Sequence, residues 1–276
     1  MIYHWFALLG FATAFGLHWI FMSRKRYLSR RYSLPLMLVG FAALSVFLFY
    51  RGFEIGACPI GNPFEIVTLI VWYSVFFYLI LSLIYSLNYL GFFTAGLSMI
   101  TLIVLHLFPS LNYAYDAGDI HTSHIVGIHV ALAVFSYGVF ALLSLLALMY
   151  LIQFYGLARR RTGSFFSLLP PLVQLEKLQI WILAIGVFVL SCSLFIGSFS
   201  FFYDLGSVPI YKITATVLVW IVFLVVLILR LVNRLVSSRF AWMILFGFII
   251  ALLALVPVDR ARHERIKEHH HSVLAE

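Results

Sequence analysis

A chain of 276 residues in which 64% are hydrophobic and 10% charged, with a mean hydropathy of +1.07, is too apolar for a water-soluble domain, so lipid is its main solvent. The formal net charge of +8 would suit a nucleic acid, but the basic residues collect at the ends of apolar stretches, where they set membrane orientation; membrane lipid is the expected partner and nucleic acid is not. Two cysteines, Cys58 and Cys192, lie far apart and outside any CxxC pattern, which excludes dithiol chemistry run by the chain itself.

A bilayer core of about 30 Å needs about 20 apolar residues per helix, with every backbone polar group satisfied inside the helix. The first such span covers about residues 2–22. No basic stretch or small-residue cleavage site accompanies it, so it is expected to be a retained helix and not a signal peptide. The second covers about 34–50 and the third about 64–86. Asn62-Pro63-Phe64-Glu65 opens the third with a capping pattern: Asn62 as N-cap, Pro63 at the first helical position and Glu65 at the third. The fourth span, about 91–108, closes on His106 shortly before Pro109. The fifth, about 122–156, exceeds what a bilayer needs at about 1.5 Å per residue and is expected to tilt or to project into the cytoplasm. After Arg159, Arg160 and Arg161, residues 163–176 with Pro170 and Pro171 read as an interfacial connection. Spans at about 177–201, 209–230 and 240–257 follow, and a polar tail occupies 258–276. The expected fold is thus an all-α integral membrane protein, a bundle of about eight transmembrane helices forming one polytopic domain over 1–276. No internal repeat and no phosphate-binding glycine loop is visible.

Lysines and arginines flanking short loops stay on the cytoplasmic side. Arg24, Lys25, Arg26, Arg30 and Arg31, then Arg159 to Arg161, then Arg230, Arg234 and Arg239 fall on one side if there are eight spans. Both termini then face outward, and of the acids only Glu176 lies inside. The basic residues Arg260, Arg262, Arg265 and Lys267 in the tail run against this pattern.

Most of the ten histidines map to the outer half: His4, His106, His121, His124, His129, His263 and the run His269 to His271. Only His18 lies toward the inner side. Ionisable groups near the membrane core are costly and face a cavity or a partner, so His106 and His129 require a reason. One is axial ligation of haem iron in an aromatic slot; the other is a hydrogen bond to a neighbouring helix. The tail triplet reads as solvated or as an adventitious metal binder. Glu65 is explained by capping alone, although an acid at a cavity mouth could also orient a ligand. Lys212 either snorkels to the interface or meets a haem propionate.

His129-Val-Ala-Leu-Ala-Val-Phe-Ser-Tyr137, continuing as an apolar helix to Gln153 and the three arginines, resembles the cytochrome c assembly superfamily of CcsA/CcmC type, above all its HemX-like and YpjD-like branch. Asn62 to Glu65, His106 at the end of span four and Leu175-Glu-Lys-Leu before span six are similar to that branch as well. The resemblance implies haem handling on the outer side of a bacterial cytoplasmic (inner) membrane, with haem b as cofactor and cytochrome c maturation or haem-biosynthesis proteins as partners. In that family two flanking histidines hold the haem iron; His129 matches the first and His263 the second, with His106, Lys212 and Glu65 as further pocket residues. The family's tryptophan-rich segment is replaced here by the stretch from Ser198 to Lys212, which keeps only its aromatic character and Lys212. The resemblance therefore implies an accessory protein, an assembly factor and not a catalyst. Two other readings stand beside it: a non-catalytic scaffold or regulator of a partner protein, and a b-type haem redox protein acting with quinone, for which His18 is the only inner-side histidine.

Overall fold

In the computed structural model the backbone is described for residues 2–24, 30–56, 58–85, 88–113, 124–159, 169–203 and 210–273. Within these, the side chains of 30–31, 88, 124–126, 200–203, 210–212 and 256–273 are not described. The described residues form eight long helices and no strand: α1 (Ile2–Ser23), α2 (Arg30–Ile55), α3 (Pro63–Ile84), α4 (Asn88–Leu107), α5 (His124–Ala158), α6 (Leu172–Tyr203), α7 (Ile210–Leu231) and α8 (Ser237–Val273). All eight are long and apolar enough to cross a membrane, so the chain is a multi-span membrane protein.

Chain neighbours pack together within each set of four helices, and the first and fourth of each set also meet. α1 touches α2 and α4, and α3 touches α2 and α4; likewise α5 touches α6 and α8, and α7 touches α6 and α8. The result is two four-helix rings joined where α5 lies against α3 and α4. At the seam α5 is enclosed on all sides, and Ser136 through Ala147 are buried without a break. An evenly hydrophobic helix has no polar face to turn outward, so its favourable place is between other helices.

The seam is close because a glycine stands in it. A Cβ added at Gly138 would lie 2.3 Å from the Cβ of Tyr73, and Phe135 packs edge-on against Tyr73 at 5.0 Å and Phe77 at 4.9 Å. Small residues let helix backbones approach in lipid, where van der Waals packing and hydrogen bonds drive association. Gly138→Val is expected to destabilise the protein by about 1–3 kcal/mol through overpacking, measured as a lower midpoint of helix loss on SDS titration of protein in dodecyl maltoside.

Polar side chains tie neighbouring helices within the rings. Trp72 Nε1 donates to Ser45 at 2.8 Å, Trp220 Nε1 to Ser191 at 2.8 Å, and Trp242 Nε1 to the Tyr155 hydroxyl at 3.1 Å. At the arginine-bearing end, Arg230 forms an ion pair with Glu176, donates to the Leu235 carbonyl and lies over the Phe240 ring. One guanidinium thus fastens α6, α7 and α8 together. α7 stops just beyond it, where Asn233 adopts a φ of 53° and Arg234 N–H reaches back to the Leu229 carbonyl at 2.9 Å, a left-handed C-terminal cap. His18 is built into the first ring in the same way: Nδ1–H donates to the Ala14 carbonyl at 2.7 Å and Nε2 meets Ser33 at 3.1 Å.

Candidate functional site

Up-and-down succession brings the starts of α1, α3, α5 and α7 and the ends of α2, α4, α6 and α8 to one end of the bundle. That end carries the histidines the sequence singles out, divided between the two rings.

In the second ring His129 stands near the start of α5, against α6. Its Nδ1 lies 2.6 Å from the carbonyl oxygen of Ser193. A carbonyl oxygen can only accept, so Nδ1 carries the proton and Nε2 is left with its lone pair. Ser193 completes the clasp by donating its hydroxyl to the His129 carbonyl at 2.8 Å. Gly197, one turn further along α6, makes room for the ring: a Cβ there would lie 2.6 Å from His129 Nδ1. A histidine whose Nδ1–H is fixed on a carbonyl is oriented and tuned for metal ligation through Nε2.

Position 263 lies on α8, which packs against α5. It falls beyond Leu255, the last residue of the apolar part of α8, by about 12 Å at about 1.5 Å per residue. The side chains of His263 and Lys212 lie outside the described residues.

His106 and Glu65 belong to the first ring and share no described contact with His129. Glu65 is fully buried. Its Oε1 accepts from Arg51 Nε at 2.7 Å and its Oε2 from the Gly61 N–H at 2.9 Å. Its own N–H donates to Asn62 Oδ1 at 2.9 Å. The cap read in the sequence is therefore present, with the Glu side chain reaching to Gly61 rather than to Asn62. Asn62 in turn donates to Asn112 Oδ1 and the Tyr113 carbonyl, holding the segment after α4 against the start of α3. Arg51 also pairs with Glu54 at 2.9 Å.

Cys58 sits in the connection from α2 to α3 as a free thiol. Burial pushes its pKa up, and the charge on Glu65 adds to the shift. A raised thiol pKa delays thiolate formation to more alkaline pH. At pH 7.5 Cys58 is expected to react with iodoacetamide more slowly than glutathione does, a comparison made by mass spectrometry of the labelled protein.

His106 packs beside a residue that sequence reasoning placed on the outer side but did not single out. His4 of α1 is wholly buried, with its ring centroid 4.8 Å from that of His106. The two residues are separated by nearly the whole of the first ring, and no spacing rule links them.

These features define a polytopic membrane protein of two four-helix rings with oriented histidines at one end. Its sequence matches the family described as "Cytochrome C assembly protein" over residues 60–261, and the chain belongs to that family. Its relatives include Protein HemX of Bacillus subtilis (strain 168), 28% identical over 156 residues, which are 55% of each chain. Protein HemX of Brevibacillus brevis is 28% identical over 167 residues, 60% of this chain and 61% of that one. The chain thus spans between half and two thirds of the length of these curated relatives. Both likenesses agree with the HemX-like resemblance carried by the segment from His129 to Tyr137.

Proposed function

We propose that this protein is a haem-handling accessory factor of the bacterial cytoplasmic membrane, serving cytochrome c biogenesis or haem metabolism as an assembly protein and not as a catalyst. The observation that carries the reading is the 2.6 Å contact of His129 Nδ1 with the Ser193 carbonyl: it calls for a proton on Nδ1, and the neutral ring would then offer the lone pair of Nε2 to iron. Membership of the cytochrome c assembly family supports haem as the group concerned. In this reading His129 and His263, the latter on the packed neighbour α8, would hold the haem iron. Haem b bound there would supply an iron–porphyrin for presentation or transfer. The protein's own share is to orient the imidazole through Ser193 and Gly197 and to surround the porphyrin with apolar side chains. Lys212 near the start of α7 is the proposed partner for a propionate.

By the positive-inside rule the histidine end faces outward. Partners are then haem and proteins of cytochrome c maturation or haem biosynthesis.

The test is an absorbance spectrum of protein purified in mild detergent from haem-replete cells. A Soret band with the split α/β bands of a six-coordinate b-type haem on reduction is expected. Protein that carries no Soret band and takes up no added haemin would end the proposal.

A further inference from the structure

The first ring holds a second pair of imidazoles whose chemistry the haem reading leaves unused. Thr68 donates its one hydroxyl proton to the Phe64 carbonyl at 2.7 Å. It can therefore only accept from His4, whose Nε2 stands 3.2 Å away. His4 Nε2 thus carries the proton and Nδ1 is bare. In His106 the assignment is reversed. Nδ1 lies 2.7 Å from the Leu102 carbonyl and must donate to it, so Nε2 is bare. Both bare nitrogens, His4 Nδ1 and His106 Nε2, are buried without a hydrogen-bond partner.

Two neighbouring imidazoles with opposite tautomers, each locked by a different helix, present two lone pairs and no proton to share. An unpaired buried acceptor is costly, and a pair of them calls for a Lewis acid or a double donor. A porphyrin does not fit between them, because rings with centroids 4.8 Å apart at 47° are already in contact. A single small ion suits the donor set: each of the two touching imidazoles offers one bare nitrogen, and metal–nitrogen bonds are about 2 Å long.

The surroundings select the charge of that ion. The walls are the Trp5 ring, 4.1 Å from His106, and the Phe47 and Phe64 rings, 5.3 Å and 4.8 Å from His4. The nearest buried carboxylate, Glu65, is already paired with Arg51. A divalent ion such as zinc requires about four ligands, with anionic ones to offset its charge. Two neutral imidazoles among aromatic faces suit a monovalent d10 cation of low coordination number, with imidazole a good ligand for copper and the Trp5 face an added electrostatic attraction. Phe47 also lines a cavity of about 610 Å³ with Tyr3, Tyr50, Arg51 and Glu54. His4 precedes the family-matched stretch, residues 60–261, so the pair is not part of what that match covers.

We propose that His4 Nδ1 and His106 Nε2 bind one Cu(I) ion, independently of haem. The full chain in detergent, kept anaerobic and reduced, is titrated with Cu(I) against a chromophoric chelator and, in parallel, with Ag(I). Wild type is expected to retain one equivalent more than His4→Phe/His106→Phe, and the first equivalent to quench Trp5 emission, a quench absent from Trp5→Phe. X-ray absorption of wild type at one equivalent should show two nitrogen neighbours at about 2 Å. Equal retention by wild type and the double variant overturns the proposal. So does a first shell of sulfur, which would place the metal on Cys58 or Cys192, and this readout needs no variant to fold.

Discussion

His129→Ala is expected to remove the Soret band from protein purified from haem-replete cells, while His106→Ala leaves it in place. The contrast follows from the two rings: His129 is clasped by α6 through Ser193, whereas His106 is packed on α1 beside His4 and Trp5. A subtler variant separates ligation from fold. Gly197→Ala adds a methyl group that would lie 2.6 Å from His129 Nδ1, so the imidazole must turn away from the Ser193 carbonyl. Loss of a partner that orients a ligating histidine weakens metal affinity by about 10- to 100-fold. Haemin titration of Gly197→Ala should show a loss of that size with unchanged helical circular dichroism. If His129→Ala bound haemin as wild type does, the ligand assignment would fail and His129 would be a histidine of helix packing alone.

The second large effect concerns stability. Arg51→Met leaves the carboxylate of Glu65, fully buried, without its guanidinium partner. Breaking one side of a buried ion pair costs about 3–5 kcal/mol, because the remaining charge stays desolvated. Glu65→Gln should cost less: the amide oxygen still accepts from Gly61, and Arg51 keeps Glu54. Arg51→Met/Glu65→Leu should also lose less than Arg51→Met alone, since no lone charge is buried. SDS titration followed by circular dichroism measures all three, and an Arg51→Met midpoint equal to wild type would show that water reaches Glu65.

The Asn62 to Glu65 cap shows where sequence reading reaches and where it stops. Asn62, Pro63 and Glu65 interact within one helical turn, so their pattern is legible in the chain. The guanidinium that neutralises Glu65 comes from the end of α2 and meets it only because α2 folds back beside α3. The same division applies to the histidines. His129 was found through its local segment. The value of its Nδ1–H depends on Ser193, 64 residues away, and the His4–His106 contact has no local trace.

Composition and apolar length determined that this chain lies in a membrane as a set of about eight helices. In lipid each helix must satisfy its own backbone, so its existence is written in its own residues. Tertiary structure alone decided that the eight close into two rings, that the long fifth helix is the seam between them, and which imidazole nitrogens are left bare. Those outcomes depend on packing and hydrogen bonds between residues distant in the chain, where glycines such as Gly138 and Gly197 set how closely the helices and their side chains approach.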